Sequence, residues 1–257
     1  MKGVLGVSDI QAPLNCAKAT ALVTNVIAEL QPPTIAVVGD EADNTQISRW
    51  VQGGRESFAG NLQAGLDKAY QVMLDFRQAA PNARIIVQRS NHTTDRIKAY
   101  LDRNAPGLAT LRELDWFNLM RYGELDIELS MQPTPIAKGW VMMHGDEGGT
   151  SRQAGGTALG LARKVGKSVM CGHTHKAGLV HDHDSHSGRI TRHLFGMEIG
   201  HLMSMRKADV ANGGYLKAGS ANWQQGIGLL HEVNGRAFPS LIPIIEGRCV
   251  VEGQMFE

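Results

Sequence analysis

The sequence predicts a single α/β domain, and three observations carry this prediction. Short apolar runs, mainly β-branched, alternate with stretches of helical periodicity through the first two thirds of the 257 residues. After residue 175, strand-like runs follow one another across short turns, which predicts a β-rich end. No stretch has the composition of a linker, so we expect one domain over residues 1–257 with a surface insertion around residues 196–216, where periodicity is weak.

Five short apolar runs are predicted to be buried strands, because each is followed at once by polar or glycine residues that end it. They cover residues 4–7, 35–38, 85–87, 141–143 and 169–171.

Helical spacing fills the gaps between these runs. Apolar stripes predict helices over residues 22–30 and 62–76, and prolines at 32–33 and 81 end them. A further helix is expected over residues 151–165, between the fourth and fifth strands.

The β-rich end is predicted from turn residues between strand-like runs. We expect a hairpin whose polar turn covers residues 184–188, followed by three strands separated by Asn-Gly and Glu-Gly turns. The hairpin strands would be residues 178–183 and 189–195, and the later strands residues 227–233, 241–245 and 249–251.

Composition excludes several functional classes. The 26 Lys and Arg residues balance 25 Asp and Glu residues, so no long nucleic acid is expected as a partner. No apolar run approaches the roughly 20 residues that span a bilayer, so no membrane partner is expected either. The three widely separated cysteines are typical of reduced thiols, which predicts a cytoplasmic protein.

Every one of the five predicted strands ends in side chains that bind metals or exchange protons. In open α/β sheets, sites assemble at the carboxyl ends of strands, so this coincidence indicates a functional centre. The residues are Asp9 and Gln11, Asp40 and Asp43, Asn91 and His92, His144, and His173 and His175.

These side chains suit two divalent cations. Carboxylate, imidazole and amide donors without thiolates fit Mn²⁺, Zn²⁺, Fe or Ni²⁺ better than Ca²⁺. A carboxylate shared between two such ions is the arrangement of two-metal phosphoryl hydrolysis, and a histidine beside them would protonate a leaving alkoxide.

The five strand ends resemble the motifs of the calcineurin-like metallophosphoesterases, which run Asp-X-His, Gly-Asp-X-X-Asp, Gly-Asn-His-Asp/Glu, a lone His, and Gly-His-X-His. The order is the same and the motifs span residues 9–175. This chain has Asp9-Ile10-Gln11, Gly39-Asp40-Glu41-Ala42-Asp43, Ser90-Asn91-His92-Thr93, His144-Gly145-Asp146 and Gly172-His173-Thr174-His175. The resemblance implies two facing mixed sheets flanked by helices, in a four-layer α/β/β/α order.

The resemblance also implies roles. The first ion would be held by Asp9, Gln11, Asp40 and His175, and the second by Asp40, Asn91, His144 and His173. His92 would be the general acid, Asp43 would orient it, and a metal-bound hydroxide would attack phosphorus in line. Mn²⁺ is the favoured ion, because the amide of Gln11 binds transition metals more weakly than an imidazole.

Two departures from the family motifs qualify these roles. Gln11 replaces a histidine, and we expect this variant in phage-encoded members, which predicts a protein working in the cytoplasm of an infected bacterial host. Ser90 and Thr93 replace the usual glycine and acidic residue, which leaves Asp43 as the candidate that holds His92.

We therefore expect a dinuclear phosphodiesterase that acts on a small phosphodiester such as a cyclic nucleotide. A nucleotide or protein phosphatase, a nuclease on short single strands and a non-catalytic scaffold are the alternatives, and a homo-oligomer is left open. Arg152, Arg192 and Lys207 are weak candidates for phosphate contacts. The histidines between positions 181 and 186 are expected in a solvated hairpin, with a rim of the site as the alternative. His201 is expected, in the same way, to be a solvated residue of the insertion.

Overall fold

The structure is a computed structural model that describes residues 2–54, 60–206 and 221–257. Within these residues the chain forms strands that alternate with helices and then run on as strands alone. The strands are β1 (Gly3–Val7), β2 (Thr34–Val37), β3 (Arg84–Gln88), β4 (Ile127–Ser130), β5 (Thr134–Ala137), β6 (Trp140–Met142), β7 (Ser168–Cys171), β8 (Ala177–His186), β9 (Arg189–Ile199), β10 (Gly226–Val233), β11 (Arg236–Pro243), β12 (Cys249–Val251) and β13 (Gln254–Phe256). The helices are α1 (Ala17–Leu30), α2 (Leu62–Ala79), α3 (Thr94–Asn104), α4 (Trp116–Leu119) and α5 (Gly156–Val165).

The strands form two mixed sheets. The first has the order β11-β10-β1-β2-β3-β4, in which β1 to β4 are parallel and β10 and β11 add antiparallel strands. The second has the order β5-β6-β7-β9-β8, in which β6, β7 and β9 are parallel. Strands β12 and β13 pair as a separate ribbon.

Alternating side chains place the two sheets face to face between helices. On β1, buried Leu5 packs into the cluster that contains Phe76 of α2, whereas its neighbour Val4 packs into the cluster that contains Met170 of β7. On the far side of the second sheet, Val169 packs with Leu161 of α5. The layer order is therefore helix, sheet, sheet, helix, and the predicted fold class is confirmed.

The five strands predicted before residue 175 are all present within one residue of their expected bounds. The helix expected from residue 151 instead begins at Gly156, because Gly155 has φ +81°, a left-handed conformation that no helix contains. The hairpin turn is also shorter than predicted, since β8 continues to His186. Cross-strand pairing with β9 accounts for this extension, because Asp184 lies opposite Arg192.

Of the three later strands, β10 and β12 lie within one residue of their expected bounds, and β11 differs. Strand β11 occupies Arg236–Pro243 rather than residues 241–245, because the turn at Asn234 and Gly235 leads directly into pairing with β10. The insertion predicted around residues 196–216 does not begin there. Residues 196–198 pair with β7 inside the second sheet, whereas residues 207–216 lie outside the described part of the chain.

No helix in the described ranges is long and apolar enough to cross a membrane.

Candidate metal centre

The loops that follow β1, β2, β3, β6 and β7 meet at one end of the two sheets. The first two are joined directly: the backbone N–H of Asp9 donates to the carbonyl of Gly39 at 3.1 Å, and that of Gln11 donates to Asp40 at 2.8 Å. Asp9, Gln11 and Asp40 have φ values of +50°, +54° and +53°. A positive φ is uncommon for residues other than glycine, and backbone strain of this kind is concentrated at functional sites.

One group of candidate ligands surrounds the Asp9 carboxylate. Nε2 of His175 lies 3.0 Å from Oδ1 of Asp9, and the backbone N–H of His173 donates to Oδ2 at 2.9 Å. The Gln11 amide joins this group to the next, because its Nε2 donates to Oδ2 of Asp40 at 3.1 Å. The four residues assigned to the first ion are therefore adjacent.

A second group surrounds the side-chain oxygen of Asn91. Oδ1 of Asn91 lies 2.8 Å from Nε2 of His144 and 3.1 Å from Nδ1 of His173. Nε2 of His144 also lies 3.3 Å from Oδ2 of Asp40. Ligand atoms of Asp40, His144 and His173 all fall within 4.8 Å of one another. Asp40 thus contacts both groups, where a bridging carboxylate belongs.

The contacts of His144 favour a positive charge at this position. Its Nδ1 lies 2.8 Å from the carbonyl of Val38, which can only accept, so Nδ1 carries the proton. Nε2 then faces two further oxygens, from Asn91 and Asp40, and needs either a second proton or a cation. Burial lowers the pKa of His144, but the Asp40 carboxylate outweighs burial and raises it to about 10. A carbonyl that fixes the outer nitrogen is the usual support of a metal-bound histidine.

The remaining donors also fit divalent cations. Burial alone would raise the pKa of Asp40, but His144 and His92 hold it well below its usual range, so this carboxylate is ionised. Oε1 of Gln11 and Nδ1 of His175 are buried and have no hydrogen-bond partner among the described residues. Unpartnered buried polar atoms are costly, and a bound cation or its waters would engage the Gln11 oxygen.

The loop that carries Asp40 is held by a buried acid. Glu41 is fully buried and accepts hydrogen bonds from Nε1 of Trp116 and the hydroxyl of Tyr122, both at 2.5 Å. Burial raises the pKa of Glu41 and outweighs the lowering by these donors. At the start of the loop, a side chain at Gly39 would place a Cβ 2.6 Å from Ser90 and 2.8 Å from Nδ1 of His144, so only glycine fits.

His92 stands beside the centre and contacts Asp43. Its Nδ1 lies 3.1 Å from Oδ1 of Asp43, and its backbone N–H donates to Oδ1 of Asp40 at 3.0 Å. Asp95 does not replace the acid that the family motif has after the histidine, because it pairs with Arg89 at 2.6 Å. The structure therefore places Asp43, and not Asp95, against the His92 ring.

Comparison with known proteins assigns the chain to a group of phage proteins. No protein-family profile matches it. It is 32% identical over 259 residues to the Gene 54 protein of Mycobacterium phage D29, in an alignment that covers 100% of this chain and 99% of that protein. The chain belongs to the Gene 54 protein family. The Gene 54 protein of Mycobacterium phage L5 is 30% identical over the same extent.

Solved structures of vacuolar protein sorting 29 are similar in fold to this Gene 54 family member. Vps29 from Entamoeba histolytica, complexed with Zn²⁺, is 14% identical with a TM-score of 0.41, covering 98% of this chain and 94% of that chain. The Cryptosporidium parvum protein is 11% identical with a TM-score of 0.42, covering 98% and 93%. Likeness at this level carries no argument about activity.

In this Gene 54 family protein, the centre opens into a cleft of about 820 Å³. Its lining includes Arg96 of α3 and two tryptophans, Trp50 and Trp223. Arg96 is not among the predicted site residues, because α3 is not among the predicted helices. Its buried residues, Thr94 and Leu101, give this helix only a weak apolar pattern.

His201 is buried rather than part of a surface insertion. Its ring lies 5.7 Å from that of His175 and 6.2 Å from that of Trp223. Burial lowers the pKa of His201 to about 3. Nδ1 accepts the backbone N–H of Met203 at 3.0 Å, so the neutral ring carries its proton on Nε2 and is not set up as a metal ligand.

Neither Arg152 nor Arg192 is among the described residues that line the cleft. Arg152 is exposed. Arg192 pairs with Asp184 at 2.6 Å on the exposed hairpin. Lys207 lies outside the described residues.

Proposed function

We propose that this Gene 54 family protein is a metal-dependent phosphoester hydrolase that acts on a small phosphodiester. The observation that carries the proposal is the position of Asp40. This buried carboxylate contacts both donor groups through Oδ2 and the backbone of His92 through Oδ1. A shared carboxylate beside an acid–base histidine is the arrangement that two-metal phosphoryl hydrolysis requires.

Each of the two groups of donors would hold one ion. Asp9, Gln11, Asp40 and His175 would hold one, and Asp40, Asn91, His144 and His173 the other. When bound, two divalent ions supply Lewis acidity, lowering the pKa of a water molecule and offsetting charge on the phosphoryl oxygens. Mn²⁺ is the ion we propose, because oxygen donors from two carboxylates and two amides favour it.

His92 would donate the proton to the leaving oxygen. The Asp43 carboxylate accepts from Nδ1 of His92, which leaves Nε2 as the nitrogen that exchanges a proton. Asp43 is therefore a positioning residue. Its second oxygen accepts the hydroxyl of Thr45, which fixes the carboxylate itself.

The cleft supports an organic diester as substrate. Its volume of about 820 Å³ lies within the usual range for pockets that hold small organic ligands. Trp50 and Trp223 offer apolar rings for a planar group, and the Arg96 guanidinium offers a positive charge for a phosphate. A cyclic nucleotide has both features.

A short single strand is the second candidate, and a groove beside the cleft favours it. The groove shares Trp50 and Arg96 with the cleft and adds Arg49 and Arg103. The Arg49 guanidinium lies 4.5 Å from the centre of the Trp50 ring, which is 80% exposed. Basic side chains beside an exposed aromatic ring bind single strands through phosphate contacts and base stacking.

Hydrolysis of chromogenic esters by metal-stripped protein, with and without added Mn²⁺, tests the proposal. We expect turnover of bis(4-nitrophenyl) phosphate that returns only with Mn²⁺, and none with Asp40→Asn. Turnover of 4-nitrophenyl phosphate alone would instead establish a phosphatase. Failure on both esters, on cyclic nucleotides and on a short oligonucleotide, with metal bound, would overturn the proposal in favour of a scaffold.

A further inference from the structure

The β8–β9 hairpin places three histidines on one face. In its antiparallel register, His183 lies opposite His193, and His181 lies opposite Phe195. Opposed residues share a face, and so do residues two apart on a strand. His181, His183 and His193 are therefore neighbours on the face that carries Phe195.

Two of these imidazoles already have the spacing of ligands to one ion. Nε2 of His181 lies 3.0 Å from Nδ1 of His193. Two nitrogens bound to one ion at about 2.0–2.1 Å are roughly 2.9–3.4 Å apart at bond angles of about 90–110°. The His183 ring is exposed, with its centroid 6.3 Å from that of His181, and it would have to turn to bring a nitrogen to the same ion.

Aromatic stacking holds the His181 ring in place. Its centroid lies 4.4 Å from that of Phe195 at an interplanar angle of 8°, and Phe195 in turn stacks on Trp140 at 5.8 Å. The His193 ring also stacks on that of His181, with their centroids 5.3 Å apart. A ring fixed by its neighbours loses little freedom when it binds an ion.

The acidic residues of the hairpin are paired with arginines, although the Asp182 carboxylate also accepts the backbone N–H of His183. Asp182 and Asp184 lie on the other face, where Asp182 pairs with Arg163 of α5 at 2.7 Å and Asp184 pairs with Arg192. The histidine face therefore offers imidazole nitrogens with no carboxylate among them. Imidazoles without carboxylates suit Zn²⁺, Ni²⁺ or Cu²⁺ rather than Mg²⁺, Ca²⁺ or Mn²⁺.

We propose that His181, His183 and His193 form a second, exposed binding site for a borderline transition-metal ion such as Zn²⁺ or Ni²⁺. Binding would link β8 to β9 through side chains. The site is separate from the candidate metal centre, because none of its residues lines the cleft in the described part of the chain. It does not depend on the proposed phosphoesterase activity.

The number of Zn²⁺ ions bound per chain tests the site. Metal-stripped protein is dialysed against Zn²⁺ alone, and bound zinc is counted by mass spectrometry. We expect the double variant His181→Asn, His193→Asn to bind one ion fewer than the natural chain. The matched control is His186→Asn, on the same hairpin, where the ring of the natural residue is hydrogen-bonded to Ser187. This variant should bind as many ions as the natural chain.

Two further measurements keep the result interpretable. His183→Asn should lower the affinity of the hairpin for its ion by about tenfold or more, which is the minimum expected for the loss of a ligand. In the natural chain, Ni²⁺ added beyond the amount that fills the candidate metal centre should broaden the imidazole resonances of His181 and His193 but leave that of His186 sharp. Equal zinc counts in the double variant, or sharp His181 and His193 resonances, would overturn the site and leave only a hydrogen bond between two histidines.

Discussion

The candidate metal centre and the β8–β9 hairpin both gather histidines, yet they hold them by different means. In the centre, His144 is fully buried and fixed at Nδ1 by a backbone carbonyl, and the buried carboxylate of Asp40 lies beside it. On the hairpin, His181 and His193 are exposed and held by ring stacking. Burial makes the difference, because the donors of the centre are costly unless a positive charge joins them, whereas water satisfies exposed imidazoles.

This contrast separates two kinds of metal site. The centre has two carboxylates within it and favours ions that accept oxygen donors, whereas the hairpin offers nitrogen alone. Strained backbone marks only one of them: His173 and His175 have φ values of +65° and +59°, whereas the hairpin histidines lie in regular strands. Strain of this kind costs about 1–3 kcal/mol per residue and persists where the fold requires the geometry.

The largest effect should come from Asp40→Asn. Removing the charge that both donor groups share should lower metal affinity by more than about 100-fold, since even outer contacts of a metal site are worth about 10–100-fold. Bound metal and ester hydrolysis should disappear together. The matched control is Asp184→Asn on the hairpin, and equal losses in both variants would contradict the role of Asp40.

His92→Ala should lower turnover by about 10²–10⁴-fold, the usual worth of general acid–base catalysis, and leave the metal content unchanged. Asp43→Asn should give a smaller loss, because it removes the support of His92 rather than the proton donor. Turnover and bound metal are measured on the same samples. Loss of metal in His92→Ala would show that His92 is a ligand instead.

Arg96→Ala should lower kcat/KM by about 10–100-fold, the worth of a hydrogen bond to a charged group, if its guanidinium contacts the phosphate. The loss should fall mainly on KM, and Arg96→Lys should restore part of it. Steady-state kinetics on the diester measure both. A kcat loss with unchanged KM would indicate that Arg96 acts only by holding the Asp43 backbone, which accepts its hydrogen bond.

Gln11→His should raise the affinity for the first ion by about tenfold, because imidazole binds transition metals more strongly than an amide oxygen. Activity at limiting Mn²⁺ should rise, while activity at saturating Mn²⁺ changes little. A Mn²⁺ titration of activity and binding measures this. If neither the Mn²⁺ affinity nor the activity changes, Gln11 is not a ligand.

Arg192→Ala should have the smallest effect. Its partner Asp184 is exposed, and exposed ion pairs contribute about 1 kcal/mol or less to the free energy of unfolding. KM for the diester should stay within about twofold of the natural value. A large rise in KM would place the hairpin at the substrate after all.

Much of the centre could be predicted because its residues follow buried strands in a fixed order. The apolar run before Asp9 predicts β1, and parallel pairing of β1 with β2 then brings Asp9 beside Asp40. Arg96 and His201 could not be found in the same way. The helix that carries Arg96 has a mostly polar surface, with Thr94 and Leu101 as its buried residues, so its apolar pattern is weak. His201 follows β9 in a segment without periodicity.

In the hairpin, the sequence predicts the strands and the turn but not the contact between histidines. The contact of His181 with His193 depends on register, and a shift of one residue would move the histidines to opposite faces. The sequence by itself determined the order of strands and the residues at their ends, because burial and turn chemistry act locally. Only the tertiary structure decided which side chains meet, since contacts such as that between Asn91 and His173 join residues 82 positions apart and depend on how both sheets pack.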